Sequence, residues 1–348
     1  MSMPATMKSG VYYRNDNVRV EQRPVPAINS EEVLVRVATC GVCGSDTMQW
    51  YREPQTRANG GGINTGHEIA GEIVQVGERV QKYSVHDRVV VAHHFPCGNC
   101  LLCRDGNETA CAAMHDKYIE PGGFAEYIRI LEKGVHNGLY LLPDSMTYAQ
   151  GSYVEPLGCV VRSVRKTAPV AAHTALVIGS GLAGLLHIKL LRALGAGRIV
   201  AVDTNTSRLE AASRCGADEA ILAAGEVPHA DRVYVCTASE KASENALGCV
   251  NPGGHIMFFA TGGPDMRVSL RLTKFWLTQT SIGFSYGAAP RDMREAMELI
   301  RCGTVSVDDL TTHRFSLDQI GEAFDLVANP RENTLKVMIE PNRASTSA

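Results

Sequence analysis

Four cysteines in one short segment have the spacing best suited to hold a metal ion. The segment reads C-x2-C-x2-C-x7-C and contains Cys97, Cys100, Cys103 and Cys111. Four thiolates at these intervals can surround one tetrahedral zinc ion, and they leave no coordination position open for a substrate. An iron–sulfur run of the C-x2-C-x2-C-x3-C-P type differs, because here the last gap is longer and no proline follows Cys111. The spacing predicts a structural zinc site, with four unligated thiols as the alternative.

A second group of metal-binding side chains is spread over three segments. Cys43 and Ser45 lie in Gly-Val-Cys-Gly-Ser-Asp, His67 and Glu68 are adjacent, and Glu155 lies in Val-Glu-Pro-Leu-Gly. A thiolate, an imidazole and a carboxylate can form a mixed zinc site with one open position. Zinc at such a site lowers the pKa of bound water to about 7, and we expect it to acidify a bound alcohol similarly. Each residue alone is more often structural, so this prediction depends on their combination.

A glycine-rich segment has the pattern of a dinucleotide-binding loop. A hydrophobic strand-like run leads into G-x-G-x-x-G at Gly179, Gly181 and Gly184, and a helix-like segment follows. The first glycine allows a tight turn, the second lets the backbone approach a pyrophosphate, and the third lets the helix pack on the strand. Backbone N–H groups where the helix begins, at Leu182 and Ala183, would receive the phosphate charge.

The residues after the next predicted strand bear on the choice between NAD and NADP. Asp203 ends that strand, nineteen residues after Gly184. A carboxylate there can accept hydrogen bonds from the ribose hydroxyls and would repel a 2′-phosphate. Arg208 points the other way, because a nearby arginine can accommodate a 2′-phosphate. With Asp203 present, the sequence favours NAD.

The order of the predicted elements divides the 348 residues into two domains. Residues 1–156 read as short strands separated by turns. From 157 to 291, strand-like runs alternate with helix-like ones, which is typical of parallel βαβ units. A helix predicted near 293–301 and a last strand would return to the first domain, so that 292–348 completes it. The expected fold class is α/β, with one mostly-β domain and one doubly wound parallel-sheet domain.

The composition excludes several classes of function. The chain is 45% hydrophobic and 20% charged, and its net charge of −3 gives no electrostatic reason to bind nucleic acid or an anionic membrane. The most hydrophobic stretch, 175–194, is interrupted by glycine and by charged residues, so it is not a membrane span. Seven cysteines outside the four-cysteine segment are scattered, and the N-terminus has no apolar run of signal-peptide length. We therefore expect a cytoplasmic protein with a small-molecule partner.

Together these motifs resemble those of the zinc-containing medium-chain dehydrogenases/reductases, most closely the sorbitol (polyol) and threonine dehydrogenase branch. The resemblance covers nearly the whole chain and includes Gly-Gly-Phe-Ala-Glu-Tyr at 122–127. It implies a GroES-like catalytic domain, a Rossmann domain and a cleft between them. It also implies two zinc ions per subunit, NAD, and a homodimer or homotetramer. Asp203 and Arg208 correspond to the contacts with the adenosine ribose.

The resemblance also assigns catalytic roles. Cys43, His67 and Glu68 correspond to the catalytic-zinc residues, and Glu155 to a carboxylate that binds the metal directly or through its water. Ser45 corresponds to the hydroxyl that passes the substrate proton towards the nicotinamide ribose. The implied reaction is NAD-linked oxidation of a secondary alcohol (polyol, sugar, cyclitol or amino alcohol) to the ketone. A physiological carbonyl reductase and a catalytically silent NAD-binding homologue are the alternatives.

Two departures from the polyol pattern limit the substrate assignment. Polyol members often carry a histidine and a tyrosine where this chain has Met48 and Gln49, so the proton route is expected to end at Ser45, the ribose and solvent. The arginine–tyrosine pair of the late substrate loop appears here as Ser-Tyr at 285–286, which weakens the case for sorbitol.

Two adjacent histidines, His93 and His94, follow a strand-like run at 88–92. Neighbouring strand residues point to opposite faces, so the pair is not expected to share a metal ion. A role in a pocket for a polyhydroxylated or cyclic substrate is one interpretation, and ordinary packing is the other.

Overall fold

A computed structural model describes residues 3–331 and 333–343 of the chain. The chain folds as two compact units. The first takes the residues up to Glu155, Ala289–Arg301 and the residues from Val307 onward, and the second takes Pro156–Ala288 and Cys302–Ser306. Within the described residues, no helix combines the length and the hydrophobicity that crossing a bilayer would require.

The elements are numbered in chain order. The strands are β1 (Thr6–Arg14), β2 (Asn17–Pro24), β3 (Val33–Val42), β4 (Glu68–Val76), β5 (Arg88–Ala92), β6 (Ile119–Glu120), β7 (Tyr127–Ile130), β8 (Leu139–Leu141), β9 (Thr174–Ile178), β10 (Arg198–Asp203), β11 (Glu219–Leu222), β12 (Ala230–Val235), β13 (Val250–Phe258), β14 (Ser281–Phe284), β15 (Thr311–Ser316) and β16 (Lys336–Glu340). The α-helices are α1 (Gln49–Ala58), α2 (Leu101–Arg104), α3 (Glu132–Asn137), α4 (Tyr148–Ser152), α5 (Val154–Thr167), α6 (Leu182–Ala193), α7 (Thr206–Arg214), α8 (Glu240–Ala246), α9 (Leu272–Thr278), α10 (Pro290–Arg301) and α11 (Ile320–Ala328).

The first unit is built around a mainly antiparallel sheet in the order β15-β16-β3-β4-β5-β8, and β7 also pairs with β3. Strand β3 runs antiparallel to both of its neighbours in that order, β4 and β16. Gly41 near the end of β3 is paired with Glu68 at the start of β4, and Val42, the last residue of β3, is paired with Val337 near the start of β16. The end of one strand and the beginnings of two others therefore meet at one edge of the sheet.

A tightly packed core holds that edge in place. The β-branched residues Val33, Val35 and Val37 on β3 are fully buried. They belong to one cluster with Ile69 and Ile73 of β4. Burying a side chain of this size stabilises the fold by about 1.5–3 kcal/mol each. Because several such residues lie on every strand next to the edge, the backbone there is a rigid support for side chains.

The second unit contains a six-stranded parallel sheet in the order β11-β10-β9-β12-β13-β14. The order reverses between β9 and β12, as in doubly wound dinucleotide-binding sheets. The inner strands are nearly continuous runs of buried apolar residues, as expected when helices cover a parallel sheet. The predicted α/β fold class is confirmed. Strand β14 is at the edge of this sheet, and large apolar side chains of β14 and α9 are exposed, namely Leu272, Trp276, Leu277 and Phe284.

Candidate functional site

Three candidate metal ligands come together at the shared strand edge of the first unit. Cys43 directly follows β3, His67 directly precedes β4, and Glu68 is the first residue of β4. One ligand atom from each of the three lies within 4.8 Å of the other two. His67 and Glu68 are buried, and Cys43 is half-buried. A thiolate, an imidazole and a carboxylate at this spacing are a donor set that suits zinc.

Asp46 supports two of these ligands from behind. Its Oδ2 accepts a hydrogen bond from the Cys43 backbone N–H at 3.0 Å, and its Oδ1 lies 3.5 Å from His67 Nδ1. Burial alone would lower the pKa of His67, but the Asp46 carboxylate outweighs burial and holds that pKa well above its usual range. Burial alone would raise the pKa of Asp46, yet its charged partners, His67 and Arg52, lower it to about 2. Because Asp46 lies beside Nδ1 of His67, a metal ion would bind the neutral ring through Nε2.

Glu68 is held by a buried ion pair. Its Oε2 pairs with Nζ of Lys336, the first residue of β16, and both side chains are almost completely buried. Burial would lower the pKa of Lys336, but Glu68 raises it above its usual value, so the lysine keeps its charge. The ion pair crosses β3 at Gly41, where a Cβ atom would lie 1.9 Å from Glu68 Oε2 and 2.6 Å from Lys336 Nζ. Only glycine leaves room for it.

The second carboxylate oxygen of Glu68 shows that a cation fits this site. Glu68 Oε1 is buried and has no hydrogen-bond partner among the residues that the structure describes. A buried carboxylate oxygen without a donor costs about 1–3 kcal/mol or more. A zinc ion held by Cys43, His67 and Glu68 would remove that cost, so the residues present fit the metal that the sequence predicts.

Two further predicted site residues lie outside this three-residue group. Ser45 is the central residue of a 3-10 turn, Gly44–Asp46, and is half-buried. Glu155 is the second residue of α5 and is also half-buried. The group whose ligand atoms lie within 4.8 Å of one another does not include Glu155.

The four cysteines of the loop form a second compact group. The Sγ atoms of Cys97, Cys100, Cys103 and Cys111 lie within 4.8 Å of one another, and those of Cys100 and Cys103 are 3.5 Å apart. Backbone N–H groups of Asn99 and Cys100 lower the pKa of the Cys97 thiol to about 6. Desolvation and the neighbouring thiols raise the pKa of Cys103 to about 12. The geometry is that of a closed four-thiolate metal site.

The adjacent histidines lie beside the first group. The expectation that His93 and His94 point to opposite faces is wrong: their ring centroids are 3.8 Å apart. The strand ends at Ala92, so the alternation of a strand no longer applies to them. The His93 ring also lies 4.7 Å from the His67 ring, and the His94 ring 4.8 Å from the ring of His115. Burial lowers the pKa of His93 well below its usual range and that of His94 to about 3, so both rings are neutral.

The glycine-rich loop of the second unit joins β9 to α6. Gly179 has φ of +96°, and a Cβ atom there would lie 3.0 Å from the Cys236 backbone. A Cβ atom on Gly184 would lie 1.9 Å from the carbonyl oxygen of Gly179, so helix and strand need a glycine to pack this closely. A Cβ atom on Gly181 would meet nothing within 4 Å. The protein does not itself need glycine at that position, whereas a pyrophosphate lying against the backbone would.

The carboxylate of Asp203 lies beside this loop. Its Oδ2 accepts a hydrogen bond from the Ser180 N–H at 2.7 Å, and its Oδ1 accepts one from the Asn205 N–H at 2.9 Å. Arg208 is in the first turn of α7, and its N–H is capped by the Asn205 side chain. Each carboxylate oxygen keeps lone-pair capacity for a ribose hydroxyl. Leu182 and Ala183 open α6, where backbone N–H groups have no partner within the helix.

Sequence reasoning missed three residues of the first unit. Asp46 was visible within the Cys-Gly-Ser-Asp segment but received no role. Lys336 had a signal of its own, because a lysine directly before the buried apolar run of β16 must find a partner if it is buried too. Arg52 had no signal, because only the fold shows that it turns back towards Asp46.

Comparisons with known proteins agree with this geometry. Residues 29–144 match the family described as "Alcohol dehydrogenase GroES-like domain", and residues 183–301 match the family described as "Zinc-binding dehydrogenase". Together the matches take in about two thirds of the chain. The chain belongs to the zinc-containing medium-chain dehydrogenases/reductases. The predicted family and enzyme class, a dehydrogenase, are thereby confirmed.

Individual members of this dehydrogenase family match over most of their length. Sorbitol dehydrogenase of Bacillus subtilis (strain 168) is 29% identical over an alignment of 363 positions, which covers 98% of this chain and 99% of that protein. L-threonine 3-dehydrogenase of Bacillus velezensis is 29% identical over 335 residues, covering 90% and 94%. A solved structure described as a zinc-binding dehydrogenase from Sinorhizobium meliloti 1021, bound to NADP, has a TM-score of 0.85 at 23% identity and covers 97% of this chain and all of that one. This last likeness shows the fold.

Proposed function

We propose that this dehydrogenase oxidises a secondary alcohol to a ketone with NAD as the hydride acceptor and zinc at the Cys43, His67 and Glu68 group. The observation that carries the proposal is the meeting of those three donors around a buried carboxylate oxygen that lacks a partner. In the overall reaction, the carbinol carbon gives its hydrogen with both electrons to NAD, and the hydroxyl proton leaves to solvent.

The chain would hold its reactive zinc through Cys43, His67 and Glu68, with Glu155 contacting the metal directly or through water. When bound, zinc supplies Lewis acidity, which makes the hydroxyl of an alcohol easier to deprotonate. The ammonium of Lys336 fixes the position of one carboxylate oxygen of Glu68. We propose a second zinc ion for Cys97, Cys100, Cys103 and Cys111, where four thiolates leave no position open and the role is structural.

NAD would bind at the loop of the second unit. Gly181 leaves open the space into which a pyrophosphate fits, and the start of α6 offers its N–H groups to the phosphates. Asp203 would accept hydrogen bonds from the adenosine ribose hydroxyls, with Arg208 nearby. The buried carboxylate is our reason to favour NAD over NADP, since a 2′-phosphate beside it would be repelled.

Ser45 would accept the proton of the substrate hydroxyl at its Oγ. The turn that carries it is fixed, because its backbone carbonyl accepts a hydrogen bond from Arg52 Nε at 2.9 Å. Met48 and Gln49, two and three residues after Asp46, carry no group that titrates near neutral pH. The proton would therefore continue from Ser45 by way of the cofactor ribose and water.

The substrate class follows from the relatives and from the neighbours of the metal group. Two relatives are a sorbitol dehydrogenase and an L-threonine 3-dehydrogenase. Sorbitol and threonine both carry a secondary hydroxyl beside another polar group. The neutral rings of His93 and His94 next to His67 could hydrogen-bond such a neighbouring group. We therefore propose a polyol, sugar, cyclitol or amino alcohol as substrate.

The test combines metal analysis with a substrate screen. We expect metal analysis to find two zinc ions per chain. In the screen, NAD should be reduced with members of a panel of polyols, cyclitols, aldoses and amino alcohols, as followed by the absorbance of reduced nicotinamide. A parallel series with NADP tests the Asp203 argument and should show at least tenfold lower kcat/KM. A single zinc ion per chain, held by the four cysteines, would refute the proposed chemistry.

We also propose that the predicted domains 1–156 with 292–348 and 157–291 are the functional domains, and that the protein is a cytoplasmic homodimer or homotetramer. All eleven cysteines are free of disulfides, which supports a reducing compartment. The exposed apolar side chains on β14 and α9 support self-association through the second unit. Molar mass by light scattering tests this, and a monomer at micromolar concentration would contradict it.

A further inference from the structure

The guanidinium of Arg52 lies behind the metal group rather than in solvent. Arg52 is in the first turn of α1, and its side chain is only 11% exposed. Its Nε donates to the Ser45 carbonyl oxygen at 2.9 Å, and its Nη2 donates to Asp46 Oδ1 at 3.0 Å. Glu53, the nearest acid along the helix, lies 3.6 Å from Arg57 instead. The Arg52 side chain therefore turns back onto the loop that precedes its own helix.

The acceptor that Arg52 uses is shared with a candidate metal ligand. Asp46 Oδ1 faces both Arg52 Nη2, at 3.0 Å, and His67 Nδ1, at 3.5 Å. The other oxygen of Asp46 binds the backbone of Cys43. One fully buried carboxylate thus connects two ligands to one fixed cation. Partners behind a metal ligand orient it and tune its basicity, and their loss typically costs 10–100-fold in metal affinity or activity.

We propose that Arg52 is a positioning residue of this metal centre, which acts through Asp46 to fix His67 and Cys43 and through the Ser45 carbonyl to fix the proton-accepting turn. The inference rests on the proposed function, because it assumes that zinc binds there. Arginine suits the role, because its planar fork can serve a carbonyl and a carboxylate at once with a charge that is never lost. Without it, a buried carboxylate loses its fixed counter-charge and the turn loses a hydrogen bond.

The test follows zinc release rather than turnover alone. Purified holoenzyme is mixed with excess chromophoric chelator, and zinc loss is followed for wild type, Arg52→Gln and Arg52→Lys. Zinc loss should have two kinetic phases, one from each metal group. The Cys43→Ala variant, which keeps only the four-cysteine group intact, identifies the phase that comes from the four cysteines. We expect Arg52→Gln to release zinc from the Cys43 group at least tenfold faster, with the four-cysteine phase unchanged. Arg52→Lys should be intermediate, because an ammonium keeps the charge without the fork.

Arg57→Gln is the matched control. Arg57 lies on the same helix but is 76% exposed, and its ion pair is with Glu53. It should release zinc at the wild-type rate. Absorption spectra of cobalt-substituted protein give a second readout: the thiolate-to-cobalt band should shift in Arg52→Gln and stay in place in Arg57→Gln, which a general loss of helix stability would not produce.

A double-mutant cycle tests whether Arg52 acts through Asp46. In an Asp46→Asn background, Arg52→Gln should accelerate release by clearly less than it does in wild type, because the shared acceptor has lost its charge. Equal factors in both backgrounds, or a wild-type release rate for Arg52→Gln, would overturn the inference. A wild-type protein without zinc at the Cys43 group would instead refute the proposed function, so the two failures are distinguishable.

Discussion

The two candidate metal groups of the first unit have similarly close ligand atoms, but the ligands come from different kinds of segments. In each, the ligand atoms lie within 4.8 Å of one another. The four cysteines come from one loop between Cys97 and Cys111, and Cys97 is exposed. Cys43, His67 and Glu68 come from the ends of separate strands and are set by the register of the sheet.

The two groups also differ in the side chains that contact their ligands. His67 has Asp46 and Arg52 behind it, and Glu68 has Lys336, all largely buried. In the loop, the thiols contact one another and nearby backbone N–H groups. A closed four-thiolate site needs only to hold its metal, whereas a site for chemistry needs ligands whose charge and direction are fixed by other groups. Supporting ion pairs thus distinguish the Cys43 group, for which we propose the reactive zinc, from the four-cysteine loop.

Removing one ligand from the assembled group should have the largest effect. We expect Cys43→Ala to lower kcat/KM at least 10⁴-fold, because the metal loses its thiolate, and to lower zinc content from two ions per chain to one. NAD affinity, measured by calorimetry, should stay within about threefold of wild type. Cys40→Ala, in the buried part of the same strand, is the control and should retain both metals. Loss of NAD binding in folded Cys43→Ala would contradict the separation of the two units' roles.

Removing one ligand from the loop should affect stability first. Structural zinc contributes ~10–16 kcal/mol in isolated zinc-finger peptides, and we expect a fraction of that, about 3 kcal/mol, where the loop is anchored by a folded unit. In Cys103→Ser, hydrogen exchange should rise in peptides from 97–111 and the thermal midpoint should fall. Cys302→Ser, which removes an exposed thiol outside the loop, should change neither. Unchanged exchange in the loop would show that no metal is held there.

A buried histidine without a carboxylate behind it sharpens the contrast with His67. Burial lowers the pKa of His187 to about 4. Its ring nitrogens contact the Ala183 carbonyl, the Ser163 hydroxyl and the Cys236 thiol, and the rings of Tyr234 and Phe259 also lie against it. The imidazole of His187 takes up a proton near pH 6.5 in the unfolded chain, but only near pH 4 in the folded chain. The contribution of neutral His187 to the free energy of unfolding is therefore fully present above pH 6.5. It is lost as the pH falls towards 4, and the total loss is about 3 kcal/mol.

The measurement is hydrogen exchange of β9 and β10 peptides as a function of pH. His187→Asn should remove that part of the pH dependence, and exposed His229→Asn should leave it in place. Identical profiles for wild type and His187→Asn would show that His187 is not the group responsible.

The smallest change we predict concerns Gly41. In Gly41→Ala, the added methyl group would overlap the Glu68–Lys336 ion pair, and overpacking of this kind costs about 1–3 kcal/mol. Zinc release from the Cys43 group should also be faster, because Glu68 must move. Gly44→Ala is the matched control, since a Cβ atom there meets nothing within 4 Å. Equal stability and equal zinc release in the two variants would show that the crossing at Gly41 is not required.

The sequence predicted best the features that are local in the chain. The run at 88–92 is a strand with the predicted bounds, and the alternation after residue 157 correctly indicated the parallel sheet. The cysteine loop and the glycine-rich loop could be found because their spacing is itself the signal. The hairpin of β1 and β2 carries no such pattern and was missed.

What the sequence could not show depends on pairing between distant strands. Lys336 and Glu68 are 268 residues apart in the chain and meet only because β4 and β16 flank β3. Arg52 and Asp46 are close in sequence, but their contact depends on the direction of α1. The close approach of the His93 and His94 rings depends on where β5 ends, and the hydrophobic pattern locates strand ends poorly.

The late position of Lys336 has a consequence for how the protein matures. During synthesis, all four loop cysteines leave the ribosome long before β16 is made, so they can bind the zinc ion that we propose for them early. Glu68 lacks its ammonium partner until the last strand has docked. Loading of the reactive ion is then expected to be the final event of assembly, and a chain truncated before Lys336 should mature with the loop ion alone.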